Sequence, residues 1–152
     1  MMILALLLAA AAPDQPQGET FATLTERDDP ELKAARAKAR ATIGEFLDVL
    51  DRKSPDTGGL QFQFPLGGTE HIWVENVERV GDKLGGTLAI QPLRGSHKKG
   101  DRVEVALGDI SDWSYWTRDN VAHGYHSYPV MFARMPKERA NELRRQLGWP
   151  AQ

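Results

Sequence analysis

Between Asp29 and Arg52 the apolar side chains recur at spacings of three and four: Leu32, Ala35, Ala39, Ile43, Phe46, Leu47 and Leu50. That period lines them along one stripe of an amphipathic α-helix running to about Arg52. Asp29 stands where an N-cap belongs, Pro30 at the first helical position and Glu31 in the first turn. Ser54-Pro55-Asp56 and Gly58-Gly59 end the element. From Leu60 the period shortens to two. Leu60, Phe62 and Phe64 alternate with Gln61 and Gln63, then Ile72 and Val74 alternate with His71, Trp73 and Glu75, each a half-buried strand. Gly81-Asp82 turns the chain into a partner strand, Lys83 to Ile90, bent at Gly85-Gly86. Gln91 to Lys99 is a loop, and Gly100-Asp101 opens a short valine strand through Val105. Leu107 to Asp112 reads as one helical turn capped by Asp109 or Ser111. Trp113 to Thr117 and Gly124 to Phe132 read as extended. Pro136 begins a closing helix with Ala140, Leu143 and Leu147 on one face, Gly148 as its C′ residue and Trp149 folding back. These elements predict an α+β domain: a strongly curved antiparallel sheet or partly open small barrel, packed by the N-terminal helix and followed by a C-terminal one.

The chain opens MMILALLLAAAA, an apolar run too short for the ~20 residues of a membrane span and of the length of a signal-peptide core. Ala9-Ala10-Ala11 fits a cleavage site, with an uncleaved tether as the alternative because no Lys or Arg precedes the apolar run. The expected organisation is a signal peptide at 1–11, a linker at 12–27 and one domain at 28–152. A bacterial protein of this design is periplasmic or secreted, with no membrane span once the leader is removed.

The 152 residues are one domain's worth, and 41% hydrophobic residues suffice for a core. No cysteine is present, which excludes disulfides, thiolate metal sites and a cysteine nucleophile. A net charge of -2 supplies no general attraction for nucleic acid or an anionic membrane surface, so partners are recognised locally. Lys33, Arg36, Lys38 and Arg40 are balanced by Glu45, Asp48 and Asp51 and read as a solvated helix face. Arg94, His97, Lys98 and Lys99 crowd one loop, which could receive an anion but has no glycine-rich cradle.

The chemistry concentrates between Gly100 and Tyr128. In an extended segment Trp113 and Tyr115 share one face while Ser114 and Trp116 share the other, so large rings must fall on both. Tyr and Trp are efficient anchors of binding surfaces. The candidate contact residues are therefore Trp113, Tyr115, Trp116, His126 and Tyr128, facing a protein, peptide or cell-envelope polymer. The competing assignment puts Trp113 and Tyr115 in the core against the first helix, with Trp116 and Tyr128 beneath the second. His123, His126 and Asp112 offer an alternative: a small metal-dependent or other hydrolase, which needs a turn at Gly124 to bring two histidines three apart onto one side. No nucleophile elbow surrounds Ser111, Ser114 or Ser127. A non-catalytic binding module is the preferred class, with no catalytic residue, metal or cofactor assigned.

An ordered set of pieces resembles the YegJ-like bacterial family, a domain of unknown function. The pieces are the Asp-Pro helix ending Glu45-Phe46-Leu47, Ile72-Trp73-Val74-Glu75, Gly86-Thr87-Leu88, Pro92, Lys99-Gly100-Asp101, Ile110-Ser111-Asp112-Trp113 with Tyr115, and Gly124-Tyr125. The resemblance spans roughly Asp28 to Met135 and implies the fold without implying an activity. Where that family runs as a glycine pair, tyrosine and threonine with an arginine nearby, this chain has His123-Gly124-Tyr125-His126-Ser127-Tyr128.

Overall fold

The computed structural model describes residues 29–68 and 70–152. The expected leader at 1–11 and linker at 12–27 lie outside the described residues. The order is α1 (Pro30–Ala41), α2 (Ile43–Arg52), β1 (Thr57–Leu66), β2 (Glu70–Val80), β3 (Lys83–Leu88), β4 (Arg102–Ala106), a 3-10 turn (Leu107–Asp109), β5 (Asp112–Thr117), β6 (Ala122–Gly124), α3 (Tyr128–Phe132) and α4 (Lys137–Gln146). The strands form one sheet in the order β4-β3-β2-β1-β5-β6, with every neighbouring pair antiparallel. It is open, not a closed barrel.

The helix predicted as continuous over Asp29 to Arg52 is two helices. Asp29 caps the first as expected, its Oδ1 accepting from the backbone N–H groups of Glu31 and Leu32 at 3.0 and 3.2 Å. Arg134 reaches across from beyond α3 to Asp29 and, at 2.7 Å, to Glu31. Its guanidinium holds the Asp29 carboxyl down to about 2. At Thr42 the hydroxyl donates to the Lys38 carbonyl at 2.8 Å, a side-chain bond that competes with the helical ladder. The backbone there leaves helical geometry at φ -108°, ψ 11°, and α2 restarts at Ile43.

Two bulges shape the sheet, each with one extra residue on one strand. In β2 the extra residue falls between Glu75 and Glu78, with Asn76 at φ 53°. Gly86 lies against it, where a Cβ would stand 2.5 Å from the Glu75 carbonyl oxygen. The bend anticipated at Gly85-Gly86 thus comes from its partner strand, and Gly86 is the residue that admits it. In β1 the extra residue falls between Gly58 and Gln61, opposite Trp116 and Ser114.

The period-two pattern sorts the strands onto two cores. Phe62, Ile72, Val74, Leu84, Leu88, Val105, Trp113 and Tyr115 pack against Ala39 and Phe46 of α1 and α2. The opposite face carries Trp73 and Ala122 beneath Tyr125, Phe132, Ala140 and Leu147, with Trp116, Tyr128, Leu143 and Trp149 closing over them. Helices therefore cover both faces. Pro136, expected at the first helical position, is instead the N-cap of α4, which begins one residue later at Lys137. Gly148 takes φ 71° and the Trp149 N–H donates to the Arg144 carbonyl at 2.8 Å, the Schellman closure that Gly148 suggested. This end fastens the sheet edge: the Ala122 N–H donates to the Leu147 carbonyl at 2.9 Å, and the Trp149 indole N–H donates to the Ala122 carbonyl at 2.8 Å.

The last predicted strand is corrected. Only Ala122–Gly124 is extended; Gly124 at φ 83° and Tyr125 at φ 50° turn the chain, and Tyr128–Phe132 is a short helix with Pro129 in its first turn. The 3-10 turn has no side-chain cap, since the Ser111 hydroxyl is used elsewhere.

Candidate functional site

Asp112 opens β5 and is fully buried. An isolated carboxylate in that position would be costly, and the structure offsets the cost with five hydrogen bonds. Oδ1 accepts from the backbone N–H groups of Trp113 and His126 at 2.9 and 3.0 Å and from His126 Nδ1 at 2.9 Å. Oδ2 accepts from the Ser127 N–H at 3.1 Å and its hydroxyl at 2.9 Å. The turn at Gly124 and Tyr125 presents His126 and Ser127 to the carboxylate. His126 stands edge-on to Trp113, ring centroids 4.8 Å apart, and its Nε2 lies 3.3 Å from Thr42 Oγ1. One carboxylate thus ties β5, the turn into α3 and the break between α1 and α2.

The series Thr42–His126–Asp112 has the order of a hydroxyl–imidazole–carboxylate relay. Its hydroxyl, however, faces the Lys38 carbonyl at 2.8 Å. The arrangement is a latch that fixes a histidine tautomer: Nδ1 carries the hydrogen that the carboxylate accepts.

A second histidine lies beside it. His71 Nδ1 is 2.9 Å from Ser111 Oγ, and that hydroxyl donates to Gln63 Oε1 at 3.3 Å, so Nδ1 is the donor to serine. Burial, then the nearby positive charge of Arg36, push His71 down to about 4 against a partial opposing effect of Asp112. The unfolded ring titrates near 6.5, so unfolding takes up a proton between these values. Stability from the neutral ring is complete above pH ~6.5 and is lost as pH falls towards 4, by a total of roughly 3 kcal/mol. We expect the denaturant midpoint to fall between pH 7 and 4.5 more steeply in the wild type than in His71→Gln. Parallel slopes would contradict the assignment.

The five rings proposed from sequence as a contact face are dispersed. Trp113 is 1% exposed and Tyr115 7%, so neither presents its ring to solvent. The Trp113 indole N–H donates to the Ala39 carbonyl and the Tyr115 hydroxyl to Glu45 Oε1, both at 2.9 Å. Burial and the Glu45 bond raise Tyr115 to about 12. His126 belongs to the Asp112 latch. Trp116 and Tyr128 are half-buried members of the opposite core. His123, grouped with His126 and Asp112 in the hydrolase alternative, stacks on Tyr115 at 4.9 Å. Among the described residues no group of three or more His, Asp or Glu side chains is placed to hold a metal ion.

Trp116 differs from the other three tryptophans. The Trp113 and Trp149 indole N–H groups are spent on backbone carbonyls, and that of Trp73 meets no acceptor among the described residues but is buried out of reach. Trp116 is half-buried, and its N–H meets no acceptor among the described residues. Its ring lies along the β1 bulge, where a Cβ on Gly59 would come within 3.0 Å of Cδ1. Sequence reasoning named Trp116 but missed Thr42, Gln63 and His71, which join the polar cluster only through contacts 40 to 84 residues apart in the chain.

The family model described as "Uncharacterized protein conserved in bacteria (DUF2314)" matches residues 29–150, and the chain belongs to that family. The chain is also similar to "Uncharacterized protein YegJ" of Escherichia coli (strain K12), 28% identical over 149 residues that cover 97% of this chain and 96% of the relative. No solved structure matches.

Proposed function

We propose that this DUF2314 member is a non-catalytic binding module of the bacterial envelope, exported to the periplasm or beyond, which contacts a protein, peptide or envelope polymer through Trp116. The observation that carries the reading is the half-buried indole whose N–H meets no acceptor among the described residues, set against the glycine bulge of β1. A ring already held by Gly59 loses little freedom on binding, and Trp combines large apolar area with a directed donor. The export part rests on the apolar opening segment and its run of alanines. Tyr128 lies in the same core as Trp116, so the half-accessible rings converge on one side of the sheet, away from α1 and α2.

A photoreactive residue at position 116, expressed in the native envelope, should give a discrete adduct. The same residue at exposed Lys33, on α1 across the sheet, should not. Free labelling at 33 with none at 116 would overturn the proposed face.

A further inference from the structure

We infer that the loop between β3 and β4 is a docking element for an anionic lipid surface. Leu93 is 61% exposed and is the exposed large hydrophobic residue among those described. Around it Arg94, Lys98 and Lys99 are exposed, and none of their side chains forms an ion pair with a described residue.

The loop has a built frame. Pro92 is buried. The Gln91 side chain spans the loop, Nε2 donating to the His97 carbonyl and Oε1 accepting from the Lys99 N–H, both at 3.2 Å. Each of the two neighbouring acids accepts from the loop backbone: Glu70 Oε1 from the Leu93 N–H at 2.8 Å, and Asp101 Oδ2 from the Lys98 N–H at 2.9 Å. Asp101 also lies 3.6 Å from His97 Nδ1. The carboxylates shape the backbone while the apolar tip and its flanking cations are displayed.

Cations alone would suit any polyanion. An exposed leucine among them favours an interface with apolar material just below its charges, which is a bilayer of anionic lipids. The placement fits: the loop leaves β3 at Leu88 and enters β4 at Arg102, the end of the sheet where β1 turns into β2. Trp116 pairs with Gly58 at the opposite end. A module seated by this loop would hold Trp116 away from the membrane, though the docking does not depend on what Trp116 contacts.

The chain has no cysteine, so Leu93→Cys and Arg118→Cys in the full chain each accept one environment-sensitive fluorophore. With phosphatidylglycerol vesicles at low salt, the label at 93 should shift to the blue and the label at 118 should not; with phosphatidylcholine vesicles neither should. At about 1 kcal/mol per cation, adding Lys98→Glu and Lys99→Glu should weaken the 93 response at least ~30-fold. No shift at 93, an equal shift with both lipids, or retention of the response in the double charge reversal would each overturn the proposal. So would inhibition by millimolar inorganic phosphate beyond that of sodium chloride at equal ionic strength, since the loop would then be a phosphate site.

Discussion

Replacing Asp112 with alanine should cost roughly 3–5 kcal/mol, a large share of a domain's stability. The substitution removes the acceptor of five hydrogen bonds at once and leaves three backbone N–H groups and two side-chain donors facing a buried gap. Each exposed salt bridge, by comparison, contributes at most about 1 kcal/mol; Arg102–Glu78, with both side chains more than half exposed, is of that kind. Asp112→Asn should recover only part of the loss, because its amide NH2 must face the donors of one side. Ser127→Ala removes one donor and should cost about 1 kcal/mol. Denaturant unfolding at pH 7 gives the order: alanine at 112 worst, asparagine intermediate, Ser127→Ala mild. A loss below ~1 kcal/mol for Asp112→Ala would mean that the carboxylate is not the tie described.

Gly124→Ala should be comparably damaging, at roughly 4 kcal/mol or more, through strain and overlap at one position. At φ 83° the new Cβ would stand 2.1 Å from the Trp113 carbonyl oxygen and 2.7 Å from Cε3 of its ring. That carbonyl accepts the Tyr125 N–H at 2.9 Å, so the clash falls on the bond that swings the chain towards Asp112. Gly95→Ala provides the comparison. Its φ of 82° is nearly the same but its surroundings are open, so it should lose only the ~1–2 kcal/mol of left-handed backbone. Equal losses at the two positions, measured by thermal and denaturant unfolding, would show that packing at Gly124 adds nothing.

What sequence reading captured was local in origin. The Asp29 cap, the apolar stripe of the first helices, the alternation in β1 and β2 and the Gly148 closure each depend on residues a few positions apart. The period of two also sorted Trp113 and Tyr115 from Ser114 and Trp116 correctly, but periodicity cannot say what lies over each face. The helix break escaped because Thr42 is an ordinary residue within a good apolar stripe, and only its bond to Lys38 reveals the competition. The run from Gly124 to Phe132 looked extended because its aromatics are closely spaced. Two consecutive positive φ values and Pro129 override that pattern. Asp112 was visible as an acid near histidines, and its role as acceptor for His126 and Ser127 follows only from the turn that brings them back.

The fastening of Ala122 by Leu147 and Trp149 has a colloidal consequence. With the N–H and carbonyl of Ala122 both occupied, the β6 edge is obstructed at that residue as a template for backbone pairing with a foreign chain. Among the described residues the other edge of the sheet is β4, and a two-fold joint there would consume the growing end of each molecule. Such a joint stops at a pair, and at the opposite edge the segment that closes the terminal helix stands in the way of further pairing.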